Sequence, residues 1–163
     1  EIDLSIQEYK MALEKDNTMQ MAYFGLGNIS MKQARYGDAE TYYKKAIENT
    51  PAADLRNALF YNNLSWVYID GERDLKEAEK LIQKAMLLDT VRLYIYLDTL
   101  GVIYTESNEF TKAEATLLSA AEYAKTDAAA LKHIYLHLSE LYQATDSNDK
   151  LQDMFRKIVD IAK

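Results

Sequence analysis

Apolar and small residues recur along this chain at the spacing of helical turns. In the stretch YGDAETYYKKAIENTP, Tyr36 to Pro51, Ala39 and Ala46 stand seven apart among large tyrosines and lysines. Seven residues are two turns of helix, so both alanines lie on one face. An isolated exposed helix has no reason to keep that face small; a helix with close neighbours does. The pattern predicts helices over 2–15, 19–33, 38–49, 53–69, 74–88, 91–106, 111–125, 128–144 and 148–162. Thr111 with Glu114 three later reads as a capping box. Asp38 reads as the cap of the helix holding Ala39. Pro51 lies just past a helix end, where a ring that cannot continue the helix is tolerated.

The small and aromatic positions repeat. Tyr23-x-x-Leu26-Gly27 is followed by Ala39, Tyr43, Ala46 and Pro51. Tyr61-x-x-Leu64-Ser65-x-x-Tyr68 is followed by Ala78, Ile82 and Ala85. Leu97-x-x-Leu100-Gly101-x-x-Tyr104 is followed by Ala113, Leu117 and Ala120, and Tyr135-x-x-Leu138-Ser139-x-x-Tyr142 by Leu151, Phe155 and Ile158. Tyr9 and Ala12 read as the second half of an earlier unit. These residues resemble the tetratricopeptide repeat family, with its aromatic-x-x-Leu-Gly-x-x-Tyr half, its Ala-x-x-x-Phe half and its terminal proline. The resemblance covers nearly the whole chain. A single long helical-hairpin bundle is the alternative reading of the periodicity.

The resemblance implies an all-α, right-handed α-α superhelix of about nine helices, each unit an antiparallel pair of helices, A then B. The expected organisation places 1–17 as the second helix of a preceding, truncated repeat and 18–51 as a full repeat. Residues 52–90 follow as a repeat with a longer first helix, 91–126 as another repeat, and 127–163 as a degenerate, terminating one. In this arrangement Gly27 and Ala39 are small so that helices A and B approach. Ala46 makes room for helix A of the next unit, and the stacked units share one core.

Departures from the pattern carry their own expectations. Ser30 stands where the family has tyrosine, and the DGERDL segment from Asp70 to Leu75 holds one extra residue. AADLRNALF and DAAALKHIY are good helix formers, which predicts longer A helices rather than loops. Leu151 and Ile158 replace alanines in the last unit, so the last helix is expected to close the array. Ile2, Leu4, Ile6, Tyr9 and Leu13 give the first helix more apolar surface than one partner covers. Either an upstream unit precedes it, or residues 2–13 mediate self-association.

Composition narrows the function. One proline and five glycines in 163 residues suit an all-helical chain. The formal charge of -7 argues against a nucleic-acid surface. No apolar run approaches a membrane span. The absence of cysteine removes disulfides, thiolate metal sites and cysteine nucleophiles. It suits cytoplasm or periplasm and does not separate them.

In the resembled family helix A of each unit lines a concave groove that holds a peptide. By position, the first unit offers Met21, Phe24, Asn28 and Met31, and the second Asn62, Asn63, Trp66, Ile69 and Asp70. The third offers Asp98, Val102 and Glu106, and the fourth His133, His137 and Glu140. Met21, Phe24, Trp66 and Ile69 are apolar yet off the expected core face, where adaptable Met and rigid aromatics serve binding. Trp66 becomes a core residue instead if the longer helix rotates. Asn28 and Asn63 each offer a donor and an acceptor, which suits an extended backbone; the alternative is that they bond between helices. The two asparagines match a subgroup that clamps the C-terminal carboxylate of chaperones. Phe24, Ile95 and Thr99 stand where its cations belong, and a desolvated carboxylate without cations is costly, so that reading is rejected. Asp70, Asp98, Glu106 and Glu140 make part of the groove acidic, which fits a protein or peptide partner with apolar anchors and some Lys or Arg; solvated surface is the other reading.

No cofactor is implied. His133, His137 and Glu140 share a helix face as H-x-x-x-H-x-x-E. The metalloprotease motif needs Glu directly after the first His, where Ile134 stands, and no third ligand is predictable. Gly25 and Gly27 are helix-packing glycines, and no nucleophile with a nearby base can be proposed. The chain reads as a non-catalytic protein-interaction module. Self-assembly through its N-terminal end, or service as a scaffold region of a larger protein, is the alternative.

Overall fold

The computed structural model of the protein describes residues 2–72 and 74–161, without the side chains of Ile2, Asp3 and Glu72. The expectations that fall on the Ile2 side chain, Arg73 and a helix end at Ala162 lie outside the described residues. Among those described, the chain is all α-helical and falls into two compact units, residues 1–89 and 90–163.

The first unit holds α1 (Ile2–Lys15), α2 (Gln20–Lys32), α3 (Tyr36–Glu48), α4 (Arg56–Val67), a π-helical turn at Tyr68–Glu72 and α5 (Leu75–Leu88). α2 packs on α3 and α4 on α5, while α1 lies against α2 and α3 against α4. The two alanines of the opening pattern, Ala39 and Ala46, are both fully buried on α3. Tyr43 between them is buried too, and so are Phe60, Ile82 and Ala85. Each large apolar side chain removed from water in this way contributes about 1.5–3 kcal/mol.

The residue that fills the space at Gly27 is not Ala39. A Cβ on Gly27 would stand 2.5 Å from the Tyr43 ring, and one on Gly25 would stand 2.3 Å from the Tyr9 ring. Each glycine therefore admits an aromatic ring from a neighbouring helix, on α3 or α1. Phe24 completes this layer. Its ring lies 4.9 Å from that of Phe60 and 5.8 Å from that of Tyr43, and it is buried rather than set off the core.

The second unit holds α6 (Leu93–Glu106), α7 (Phe110–Tyr123), α8 (Ala128–Ala144) and α9 (Asn148–Ile161). α6 packs on α7, α7 on α8, and α8 on α9. Its core is built from Ala113, Leu117 and Ala120 of α7 against Ile134, Leu138 and Leu141 of α8. A Cβ on Gly101 would meet Leu117 at 2.5 Å, so α6 approaches α7 closely at that point. Leu151 and Ile158 on α9 are half-buried, while Phe155 and Val159 are exposed.

Turn chemistry sets the helix ends. The turns after α2, α6 and α8 each place one residue in the left-handed region: Ala34 at φ 53°, Asn108 at 59° and Asp146 at 53°. In each the next backbone N–H reaches back to the helix, Arg35 to the Ser30 carbonyl, Glu109 to Tyr104 and Ser147 to Tyr142, at 2.8–2.9 Å. This is the bond that closes a Schellman motif. The extra residue of the Asp70–Leu75 segment is absorbed as the π-helical turn. One added residue widens a helical turn instead of forming a loop, and Gly71 there lets the Tyr36 ring approach.

Six expected helix starts move, by one to three residues. Asp38 lies in the first turn of α3 and Thr111 in that of α7, so neither is the capping residue. α4 begins at Arg56 rather than 53, because Asp54 takes the Arg56 N–H at 2.8 Å and Asn57 donates to the Pro51 carbonyl at 2.8 Å. The side-chain caps fall elsewhere. Asp74 accepts from the Glu77 N–H, and Asp127 from the Ala130 N–H. α8 has the 17 residues of the expected longer helix, but AADLRNALF does not lengthen α4: residues 52–55 form turns, and α4 has 12 residues before the π-helical turn.

Candidate functional site

α2 and α4 stand side by side in the first unit, and their facing polar residues are tied together. The Tyr43 hydroxyl, arriving from α3, donates to Asn28 Oδ1 at 2.8 Å. Asn63 Nδ2 donates to the same oxygen at 2.9 Å. With two donors on its oxygen, the Asn28 amide has one sensible orientation, and its Nδ2 turns away from both. Asn62 Nδ2 reaches Asn63 Oδ1 at a long 3.5 Å. Burial pushes the Tyr43 hydroxyl up to about 12, against the opposing hydrogen bond from Asn63, so it stays protonated and keeps donating.

Around this network opens a pocket of about 400 Å³ walled by Asn28, Met31, Lys32, Tyr43, Asn62, Asn63 and Trp66. Five of the expected residues thus meet in one place: Asn28, Met31, Asn62, Asn63 and Trp66. Trp66 is partly exposed, and Asn62 is buried. Met21 is exposed near the start of α2, away from the pocket wall, and Asp70 is exposed in the π-helical turn. Ile69, expected off the core face like Phe24, is instead buried at 4% exposure. Tyr43 is a packing position of the repeat pattern and not an expected groove residue, yet it lines the pocket beside Lys32. The signal was present, because a tyrosine on a buried face needs a partner for its hydroxyl.

In the second unit α6 and α8 carry the corresponding residues. His137 Nδ1 lies 2.8 Å from Asp98 Oδ1, with the two side chains only 20% and 16% exposed. Burial works against charge on His137. The hydrogen bond that His137 donates to Asp98 and the nearby charges of Asp98 and Glu140 outweigh it, and hold the imidazole above its ordinary 6.5. Beside this pair a cavity of about 190 Å³ is lined by Tyr94, Ile95, Asp98, Ala130, His133 and Ile134. Val102 is half-buried, and Glu106 and Glu140 are exposed outside it. His137 is engaged with Asp98, and among the described residues no group of three or more His, Asp or Glu is placed to hold a metal ion. No helix among them is long and apolar enough to cross a membrane.

Outside these pockets the pairs are fastened in a recurring way. The Tyr68 hydroxyl donates to Glu40 at 2.6 Å beside Lys44, and the Tyr142 hydroxyl to Glu114 at 2.8 Å beside Lys150. In the first, Tyr68 of the π-helical turn meets a carboxylate of α3; in the second, Tyr142 of α8 meets one of α7. Lys45 lies over the Tyr23 ring, Lys84 over Tyr61 and Lys157 over Tyr135, each at 5.4–5.7 Å.

Paired helices, rings seated on glycine and pockets between alternate helices define a helical-repeat scaffold. Residues 20–53 match the family model of the tetratricopeptide repeat, and the chain has the tetratricopeptide-repeat fold. It superimposes on a thermophilic tetratricopeptide-repeat protein of Thermus thermophilus with a TM-score of 0.81, at 23% identity over 99% of this chain and 83% of the other. The type IV pilus biogenesis factor PilW matches at 0.80, with 18% identity over 94% of this chain and 67% of that one. YrrB, described as a repeat protein with an unusual peptide-binding site, matches at 0.64, with 21% identity over 98% of this chain and 77% of that one. In sequence, 82% of the chain is 27% identical to Protein O-mannosyl-transferase Tmtc3 of Drosophila melanogaster, a match that spans only 17% of that protein.

Proposed function

We propose that the chain is a non-catalytic module that binds an extended peptide or protein segment, and that the pocket between α2 and α4 is its principal contact in the first unit. The observation that carries this reading is the Asn28 amide. Its oxygen is occupied twice within the fold, its nitrogen donates to no group among the described residues, and Asn28 is one of the residues that line the pocket. A fixed donor beside the apolar walls of Met31 and Trp66 suits a backbone carbonyl flanked by an apolar side chain. The peptide-binding site named for YrrB is in keeping with this. The partial match to a transferase accords with the further reading that the chain is a scaffold region of a larger protein. Exposed Leu4 and Met11 on α1 are what favour the alternative of self-association.

Asn28→Asp tests the site without dismantling it. The carboxylate keeps the acceptor that Tyr43 and Asn63 use and replaces the open donor by a second acceptor. Peptides selected on the wild-type chain from a random displayed library are expected to bind this variant at least about tenfold more weakly, with the melting temperature nearly unchanged. Trp66→Ala is expected to weaken the same peptides by about 2 kcal/mol. Peptides indifferent to both changes would place binding elsewhere.

A further inference from the structure

We infer that the cavity between α6 and α8 receives one lysine or arginine side chain of a bound peptide, its aliphatic stem against Tyr94, Ile95, Ala130 and Ile134 and its cationic head on Asp98. The inference extends the groove reading to the second unit and names the chemistry that this cavity selects. Its volume of about 190 Å³ lies below the roughly 300–1,000 Å³ of small-molecule sites, so it holds one side chain rather than a whole ligand. Its walls are largely apolar, with the Asp98 carboxylate and the His133 imidazole among their polar groups and no Lys or Arg in the lining. His137 engages one Asp98 oxygen, and an uncharged aliphatic occupant would strip water from the other and return nothing to it. An anionic occupant would face Asp98 directly, with Glu140 nearby. A long aliphatic stem ending in a cation satisfies both the walls and the carboxylate.

The geometry of Asp98 supports the assignment. One oxygen takes the His137 contact at 2.8 Å, which fixes the rotamer. A carboxylate offers about four lone-pair sites, so capacity remains for a guanidinium or ammonium. The side chain is only 16% exposed, so a cation reaching it through the cavity is screened less than on open surface.

The test uses n-butylguanidinium, n-butanol and n-valerate as probes of the ¹⁵N-labelled chain by NMR. Saturable shifts confined to amides of α6 and α8 around Asp98 are expected with butylguanidinium. Butanol should bind about tenfold more weakly, and valerate not at all. Asp98→Asn should bring butylguanidinium to the butanol level. Ala130→Leu, which fills the cavity and leaves the carboxylate, should abolish both, and it serves where Asp98→Asn fails to fold. Equal affinity for butanol and butylguanidinium, undiminished binding to Ala130→Leu, or no saturable shift would overturn the inference. The groove reading is judged separately by Asn28→Asp. Selected peptides that are sensitive to that change but show no Lys or Arg preference and no dependence on Asp98 would sink the cavity assignment alone.

Discussion

Ala34 holds a left-handed φ of 53° at the turn between α2 and α3, the place where Asn108 and Asp146 stand in the other two such turns. Asn and Asp tolerate this region better than other non-glycine residues, whereas alanine meets its own carbonyl there at a cost of about 1–2 kcal/mol. The turn bond from Arg35 N–H to the Ser30 carbonyl is what holds it in place. Ala34→Gly is therefore expected to raise stability by about 1 kcal/mol, the relief of strain exceeding the added flexibility of the unfolded chain. Urea unfolding should show a higher midpoint with an unchanged slope. A lower midpoint would mean that the turn carries no strain.

At the scale of elements, two glycines on neighbouring helices separate packing from propensity. Gly27 on α2 faces the Tyr43 ring, while a Cβ on Gly37 in the first turn of α3 would meet nothing within 4 Å. Gly37→Ala should stabilise by about 0.5–1 kcal/mol through helix propensity alone. Gly27→Ala should destabilise by about 1–3 kcal/mol, because the displaced ring belongs to a filled core. Since the same ring carries the hydroxyl that holds Asn28, Gly27→Ala should also weaken peptide binding, which calorimetry on the folded variant would detect. The helices themselves could be read from the sequence because their small positions keep strict register, as Ala39 and Ala46 show. The burial of Phe24 and Ile69 could not. An A helix is covered from more than one side, so its buried arc is wider than the stripe of repeat residues that marks it. The asparagine pair was legible only as two alternatives, and the fold shows the inter-helix one: Asn63 bonds Asn28 between helices, while both residues also line the pocket on which the binding proposal rests. Helix starts were misplaced where first-turn residues such as Asp38 and Thr111 resemble caps, a distinction set by the turn before them.

For the whole molecule the open question raised by the sequence is whether the apolar first helix joins chains together. Much of its apolar pattern is absorbed inside the fold. Tyr9 seats its ring on Gly25 of α2, and Ile6 and Leu13 are half-buried. Among the described residues of α1, Leu4 and Met11 remain, 60% and 56% exposed and two turns apart on one face. Two side chains supply a small part of the roughly 1,200–2,000 Å² that a stable protein interface buries, and scattered exposed apolar residues are ordinary. The net charge of -7 adds repulsion between copies. The chain is therefore expected to sediment as a monomer over the micromolar range, and Leu4→Glu/Met11→Glu to leave both its sedimentation and its stability within about 0.5 kcal/mol of wild type. A concentration-dependent dimer that the double substitution dissolves would reverse this weighing. Assembly through α1 would then become the leading function, with the pockets on α2–α4 and α6–α8 secondary to it.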